Sequence, residues 1–292
     1  MSHALPARVW SAVRYQRLLP LATRRRSYGR SYARIVAMVE WLADRRRRDV
    51  ATSRIARWLG MGRIRAGLLY RSCLESEARE EADTSWFITH PDDLERAYCP
   101  IDSPDRDGAA TIWVTLHLGS PILAYLHLSR AWGIDAKIIG RALDDENPMP
   151  AAKQVWGRRK VAWIETLTAK PFLGVDALSI VRGREHLLRG GSLFAAIDVP
   201  GDIVGRSAKI ELFGESMRIA GGIMRMATLA RVPVRFLIAV SDGTAIKLRY
   251  GDAIPPSPTD AHLVAIGSEI EATLRAFPEE WWLWPYLPSF GE

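Results

Sequence analysis

The sequence predicts an α/β protein: a mostly parallel central sheet flanked by helices, with a helical N-terminal region ahead of it. Three observations carry this expectation. From Ala110 onward, short apolar runs with strand-like composition alternate with segments of helical period, the pattern of βαβ units. Before Asp102, apolar residues recur at helical spacing instead. The polar, proline-containing stretch Asp102 to Gly108 separates the two regimes. The expected division is a basic helical region, 1–83, and an α/β domain, 84–292.

The elements follow in order. Arg34 to Ala43 predicts an amphipathic helix with Ile35, Met38, Val39 and Leu42 on one face. Further helices are expected over Asp49–Leu59 and Met61–Glu81, the latter turning acidic at Glu75, Glu77, Glu80 and Glu81. Ala110–Leu116 predicts a strand and Ser120–Trp132 a helix. Asp135–Ile139 is the next strand, followed by helices over Pro150–Gly157 and Leu178–Arg189. Ser192–Ile197 is a buried strand, and Arg218–Ala230 a helix with Gly221 and Gly222 inside it. Strands over Pro233–Val240 and Thr244–Tyr250 and a long helix over Thr259–Phe277 complete the reading.

Composition narrows the class. A chain of 292 residues, 48% hydrophobic and 25% charged, can bury a substantial core. Cys73 and Cys99 are too few for a disulfide framework and lack metal-knuckle spacing. Met1 to Pro20 holds no apolar run of signal-peptide length, and no stretch approaches the roughly 20 apolar residues of a spanning helix. The expectation is a cytoplasmic protein, free or peripheral on the inner membrane face. Residues 1–70 contain sixteen arginines, no lysine and three acids, a net +13 where the whole chain carries +7. A basic region on an acidic body points to an anionic partner, an acidic acyl carrier protein ahead of an anionic membrane surface or nucleic acid, the alternative being a solvated helical face. Nucleic acid is not expected, because no groove-reading motif accompanies the charge.

His117 follows the strand Thr111–Leu116 and precedes a helix started by Ser120 and Pro121. Side chains at the carboxyl end of a central strand face the usual ligand crevice of an open α/β sheet. His117 is therefore the candidate catalytic base, the alternative being a core histidine with a satisfied hydrogen bond. Trp281-Trp282-Leu283-Trp284 is expected in the core, with an interfacial belt or a pocket wall as alternatives.

The order of segments from about Ile55 to Trp284 resembles the bacterial lipid A lauroyl and myristoyl acyltransferases of the lysophospholipid acyltransferase superfamily. The family's His-Phe-Gly-Asn-Trp-Glu strand end compares with His117-Leu118-Gly119-Ser120-Pro121-Ile122. Its Arg-Pro-x-Asp-Asn-Pro segment compares with Arg141 to Pro148, and its Trp-Gly helix end with Trp156-Gly157. Its Asp-Gln-Asp strand end and phenylalanine-glycine turn compare with Ile197-Asp198 and Leu212-Phe213-Gly214-Glu215. Ala220-Gly221-Gly222 through Pro233-Val234, and the Pro278 to Trp284 ending, match in the same order.

The resemblance implies a glycerolipid acyltransferase-like fold and transfer of an acyl group from a thioester to a hydroxyl or amine. No cofactor or metal is implied. It makes His117 the general base and Arg141 and Ser120 substrate-binding residues, with acyl carrier protein or acyl-CoA as donor. Arg141 can instead pair with Asp144 or Asp145. The family sets an acid five residues after its histidine, where this chain has Ile122. Three explanations stand open. Asp198 or, second, Glu165 supplies the carboxylate; the acceptor is nucleophilic enough to need no strong base; or catalysis is lost and the chain binds acyl carriers or membrane surfaces. For Asp198 the competing role is capping the turn at Pro200-Gly201-Asp202.

Overall fold

The computed structural model describes residues 4–98, 101, 103, 109–140, 149–176, 178–199, 207–241, 245–257 and 261–286. It has a six-stranded sheet of order β3-β2-β4-β1-β7-β8. The strands are β1 (Ile112–Thr115), β2 (Ala136–Gly140), β3 (Leu173–Gly174), β4 (Ser192–Ala196), β7 (Val234–Ser241) and β8 (Ile246–Tyr250). All pair in parallel except β8, which runs antiparallel to β7. Every residue of β1 is buried, as expected of a central strand covered on both faces. The chain order of the strands reverses around β1: its neighbours are β4 and β7, whereas the helix after β1 leads on to β2. That is where a ligand crevice opens in such sheets.

The N-terminal region is helical from Ala4: α1 (Ala4–Val13), a π-helical turn (Arg14–Leu18) and α2 (Leu19–Ala22) precede α3 (Arg26–Ala43), α4 (Arg45–Leu59), α5 (Arg63–Thr89) and α6 (Asp93–Ala97). Asp44 accepts a hydrogen bond from the Arg47 N–H at 2.9 Å and so caps α4, and Gly60, at φ 61°, ends it. Position 83 falls inside α5, which is continuous through the expected boundary. Ala51, Ile55, Trp58, Tyr70, Cys73 and Leu74 join the sheet residues in one hydrophobic core. Charge is buried here too: Arg14 donates to Glu81 at 2.7 Å and also pairs with Glu40, while Tyr15 and Tyr32 donate to the same Glu81 carboxylate. Lys153 and Lys160, from the helix α8 (Ala151–Thr168), extend this network to Glu77 and Glu80.

The apolar stripe of α3 does not face the core. Gly29, Tyr32, Ala33, Val36 and Ala37 are buried, while Ile35, Met38 and Leu42 are exposed. Small residues let α3 lie close on α5; a Cβ added at Gly29 would sit 3.4 Å from Ala82 Cβ. Residues 207–220 form a hairpin, β5 (Ser207–Leu212) and β6 (Glu215–Ala220), so Arg218 is in a strand and helix α10 begins only at Gly221 (Gly221–Ala230). Phe213 and Gly214, both at positive φ, make the two-residue turn, a geometry matched to the strands' twist. Gly221 is required at the close approach, since a Cβ there would lie 2.7 Å from the Ser207 carbonyl carbon. The remaining described helices are α7 (Pro121–Leu126) with a π-helical turn (His127–Ala131), α9 (Ser179–Leu188), α11 (Ala261–Ala276) and a 3-10 turn (Pro278–Glu280).

His127, in that π turn, is buried between Tyr98 and Trp132, and neither ring nitrogen has a hydrogen-bond partner. Burial alone pushes its pKa down to about 4. Between that value and the unfolded pKa of about 6.5 the unfolded chain binds the extra proton, so stability falls as pH drops through this window. His127→Phe is expected to keep the ring packing and remove this term. At pH 5 the variant should gain about 2 kcal/mol over its advantage at pH 8, read as a difference between two denaturant titrations. An equal effect at both pH values would place the acid sensitivity elsewhere.

Candidate active site

The site forms where β1 and β4 end. Their parallel register pairs Thr115 with Ala196, and each strand delivers a side chain two residues later, His117 from one and Asp198 from the other. His117 Nδ1 and Asp198 Oδ1 are 2.8 Å apart. The His117 backbone N–H donates to Asp198 Oδ2 at 2.7 Å, and the Trp281 indole N–H donates to the same oxygen at 2.7 Å. The buried carboxylate thus receives three donors, which fixes its rotation and leaves Nε2 as the ring nitrogen directed away from it. The His117 side chain is 36% exposed, so a substrate can reach it.

Burial of the imidazole disfavours its charge, but the Asp198 charge and hydrogen bond outweigh that penalty and raise the His117 pKa. Lys160 opposes and Glu77 adds to this effect more weakly, so α8 and α5 both bear on the site. A raised pKa means that His117 favours folding fully below its unfolded value and loses that contribution as pH climbs through the folded one.

A C-terminal segment holds the loop after β1. Gly119 N–H donates to Glu280 O and Trp282 N–H donates to His117 O, both at 3.0 Å. Glu280 is itself anchored to α5 by Ser76 and by Arg79 at 2.8 Å. Gly119 has φ 61°, and a Cβ there would lie 2.2 Å from Ala239 O, the atom that accepts the Ser120 N–H at 2.8 Å. The loop can therefore run against β7 only with glycine at this position.

The structure brings together two of the residues expected from sequence, His117 and Asp198. Glu165 is elsewhere: its Oε1 accepts the Phe172 N–H at 2.9 Å and so ties the C-terminal part of α8 to the start of β3. Ser120 is buried beneath the surface at 2% exposure and presents no open face to a substrate. Arg141, with Asp144 and Asp145, lies outside the described residues, as do Cys99 and the turn Pro200-Gly201-Asp202. Ile122 lies in the first turn of α7 and offers no polar group. Trp281 and Trp284 are buried core residues, and Trp281 has in addition a polar role that the tryptophan-rich composition did not reveal. Glu215 pairs with Arg54 and Arg57 of α4. No cluster of potential metal ligands occurs among the described residues.

Asp198→Asn tests the pairing. The neutral amide cannot stabilise the imidazolium and can donate to Nδ1, which selects the wrong tautomer. The His117 pKa, followed by NMR of the ring, is expected to fall. An unchanged titration would show that the carboxylate does not govern the imidazole.

No family model matches the chain, and no curated protein matches it.

Proposed function

We propose that the chain is an acyltransferase that moves an acyl group from a thioester to a hydroxyl or amine acceptor, with His117 as base and Asp198 as the residue that orients it. The observation that carries this reading is the His117–Asp198 pair at 2.8 Å on the carboxyl edge of the sheet. A neutral alcohol is a weak nucleophile until a base takes its proton. Nε2 of His117 has the right character: Nδ1 is occupied by the carboxylate, and Asp198 stabilises the imidazolium that forms. Proton removal from the acceptor, attack on the thioester carbonyl, collapse of the tetrahedral oxyanion and return of the proton to the departing thiolate complete a balanced transfer. The amides of His117, Gly119 and Ser120 are already bonded within the protein and do not serve the oxyanion. Arg141, from the family resemblance, is the residue we assign to it.

The position of Asp198 supports its substitution for the acid absent at Ile122. The mixed α/β fold and the order of the sequence motifs support a glycerolipid acyltransferase-like architecture. Acyl carrier protein and acyl-CoA are both suitable donors.

The test is thiol release and acyl-adduct mass after mixing the protein with acyl carrier protein and CoA thioesters of several chain lengths, with hydroxyl and amine acceptors or water. Release above background with at least one donor is expected. A natively folded protein that retains these donors without cleaving any would overturn catalysis and leave a binding role.

A further inference from the structure

We infer that the outward face of α3 is a membrane-docking surface that lies in the interface of an anionic bilayer. The inference stands independently of the acyl-transfer reading. Tyr28, Ile35, Met38 and Leu42 are 44 to 58% exposed and recur at spacings that place them on one side of an 18-residue helix. From Tyr28 to Leu42 the stripe runs roughly 21 Å at 1.5 Å per residue. The opposite side of α3, rich in glycine and alanine, is the one that packs on α5. The packed side buries Tyr32 and Val36 beside Gly29, Ala33 and Ala37, so apolar residues occupy both sides of the helix, unlike one whose outer face meets water.

Charge identifies the occupant. Arg24 and Arg25 stand exposed before the stripe, and Arg45 and Arg46 stand exposed after it. The only acid within α3, Glu40, is turned away to Arg14, and Asp44 is engaged in capping α4. An apolar face bracketed by arginines matches the acyl boundary and the anionic headgroups of a bilayer, with the long side chains reaching up to phosphate. Two copies of the chain pairing through this stripe about a two-fold axis would bring arginine clusters against one another. An acidic carrier protein would satisfy the charges but not four turns of apolar surface. Not all of the basic run is available for docking. Arg47 lies over the Tyr286 ring at 4.8 Å, and Arg48 lies over the Trp41 ring at 4.7 Å and donates to its carbonyl.

The test is sedimentation of the full chain with phosphatidylcholine vesicles, with and without about 30 mol% phosphatidylglycerol as the anionic lipid. The wild type should bind the anionic vesicles. Ile35→Ser, Met38→Ser and Leu42→Ser combined should weaken binding by at least about tenfold, with an unchanged melting curve, since these side chains are outside the core. Arg24→Gln, Arg25→Gln, Arg45→Gln and Arg46→Gln combined should weaken it at 0.1 M salt and flatten its salt dependence, because the Debye length is about 10 Å there. Any of three results would overturn the inference: no vesicle binding by the wild type, undiminished binding by a folded triple serine variant, or a wild-type dimer that the serine variant dissociates while vesicles bind neither. Loss of carrier-protein binding in the serine variant without vesicle binding would likewise overturn it.

Discussion

His117→Ala is expected to lower thioester transfer by at least about 10²-fold, the scale of a lost general base, while the protein still folds. Asp198 keeps two of its three donors, the residue 117 N–H and the Trp281 indole, so the buried carboxylate is not stranded. The imidazole is also more than a third exposed, so its removal leaves a shallow notch and not a core cavity. The pH profile of the wild type follows from the same pair. The base works only when neutral, and its pKa is raised, so activity should fall as pH drops below a limb lying above 6.5. In Asp198→Asn that limb should move to lower pH, at a reduced plateau. Imidazole added to His117→Ala should restore part of the rate if the defect is proton transfer. Near-wild-type turnover by a folded His117→Ala protein would remove His117 from the mechanism.

Gly119→Ala is expected to be the most damaging single methyl in the catalytic loop. A non-glycine residue at φ 61° costs roughly 1–2 kcal/mol by itself. The new Cβ would in addition meet the Ala239 carbonyl oxygen at 2.2 Å, and that oxygen belongs to β7, not to a side chain that can turn aside. Displacing the loop breaks the bonds of Gly119 and Ser120 and shifts His117 from Asp198. A total loss of roughly 3–5 kcal/mol follows, a large part of the stability of an ordinary domain. Urea titration and turnover measure it together. A variant with wild-type midpoint and activity would show that the loop has another conformation open to it.

The sequence by itself determined the fold class, the main strands of the sheet and the place of His117. Apolar runs four to eight residues long are a local signal, and a strand end followed by a Ser-Pro helix start is legible without any partner. It also marked Asp198 as a residue after a strand, but ranked it only against Glu165 and a role in the turn. Choosing between them was a tertiary matter. Residues 117 and 198 meet because β1 and β4 pair in parallel with Thr115 opposite Ala196, and no spacing along the chain encodes that register. Glu165 was drawn instead to the Phe172 amide by the length of α8, which runs well past the expected Gly157. By sequence alone the end of the hairpin at 207–220 looks helical, because Arg218 onward merges with the small residues of α10, and only pairing with β5 ends the ambiguity. The same limit explains α3. Period 3.6 locates an apolar stripe, but which side of the helix is covered depends on how closely the neighbouring helix approaches. Glycine and alanine permit the closest approach, so α5 took that side and left Ile35, Met38 and Leu42 outside.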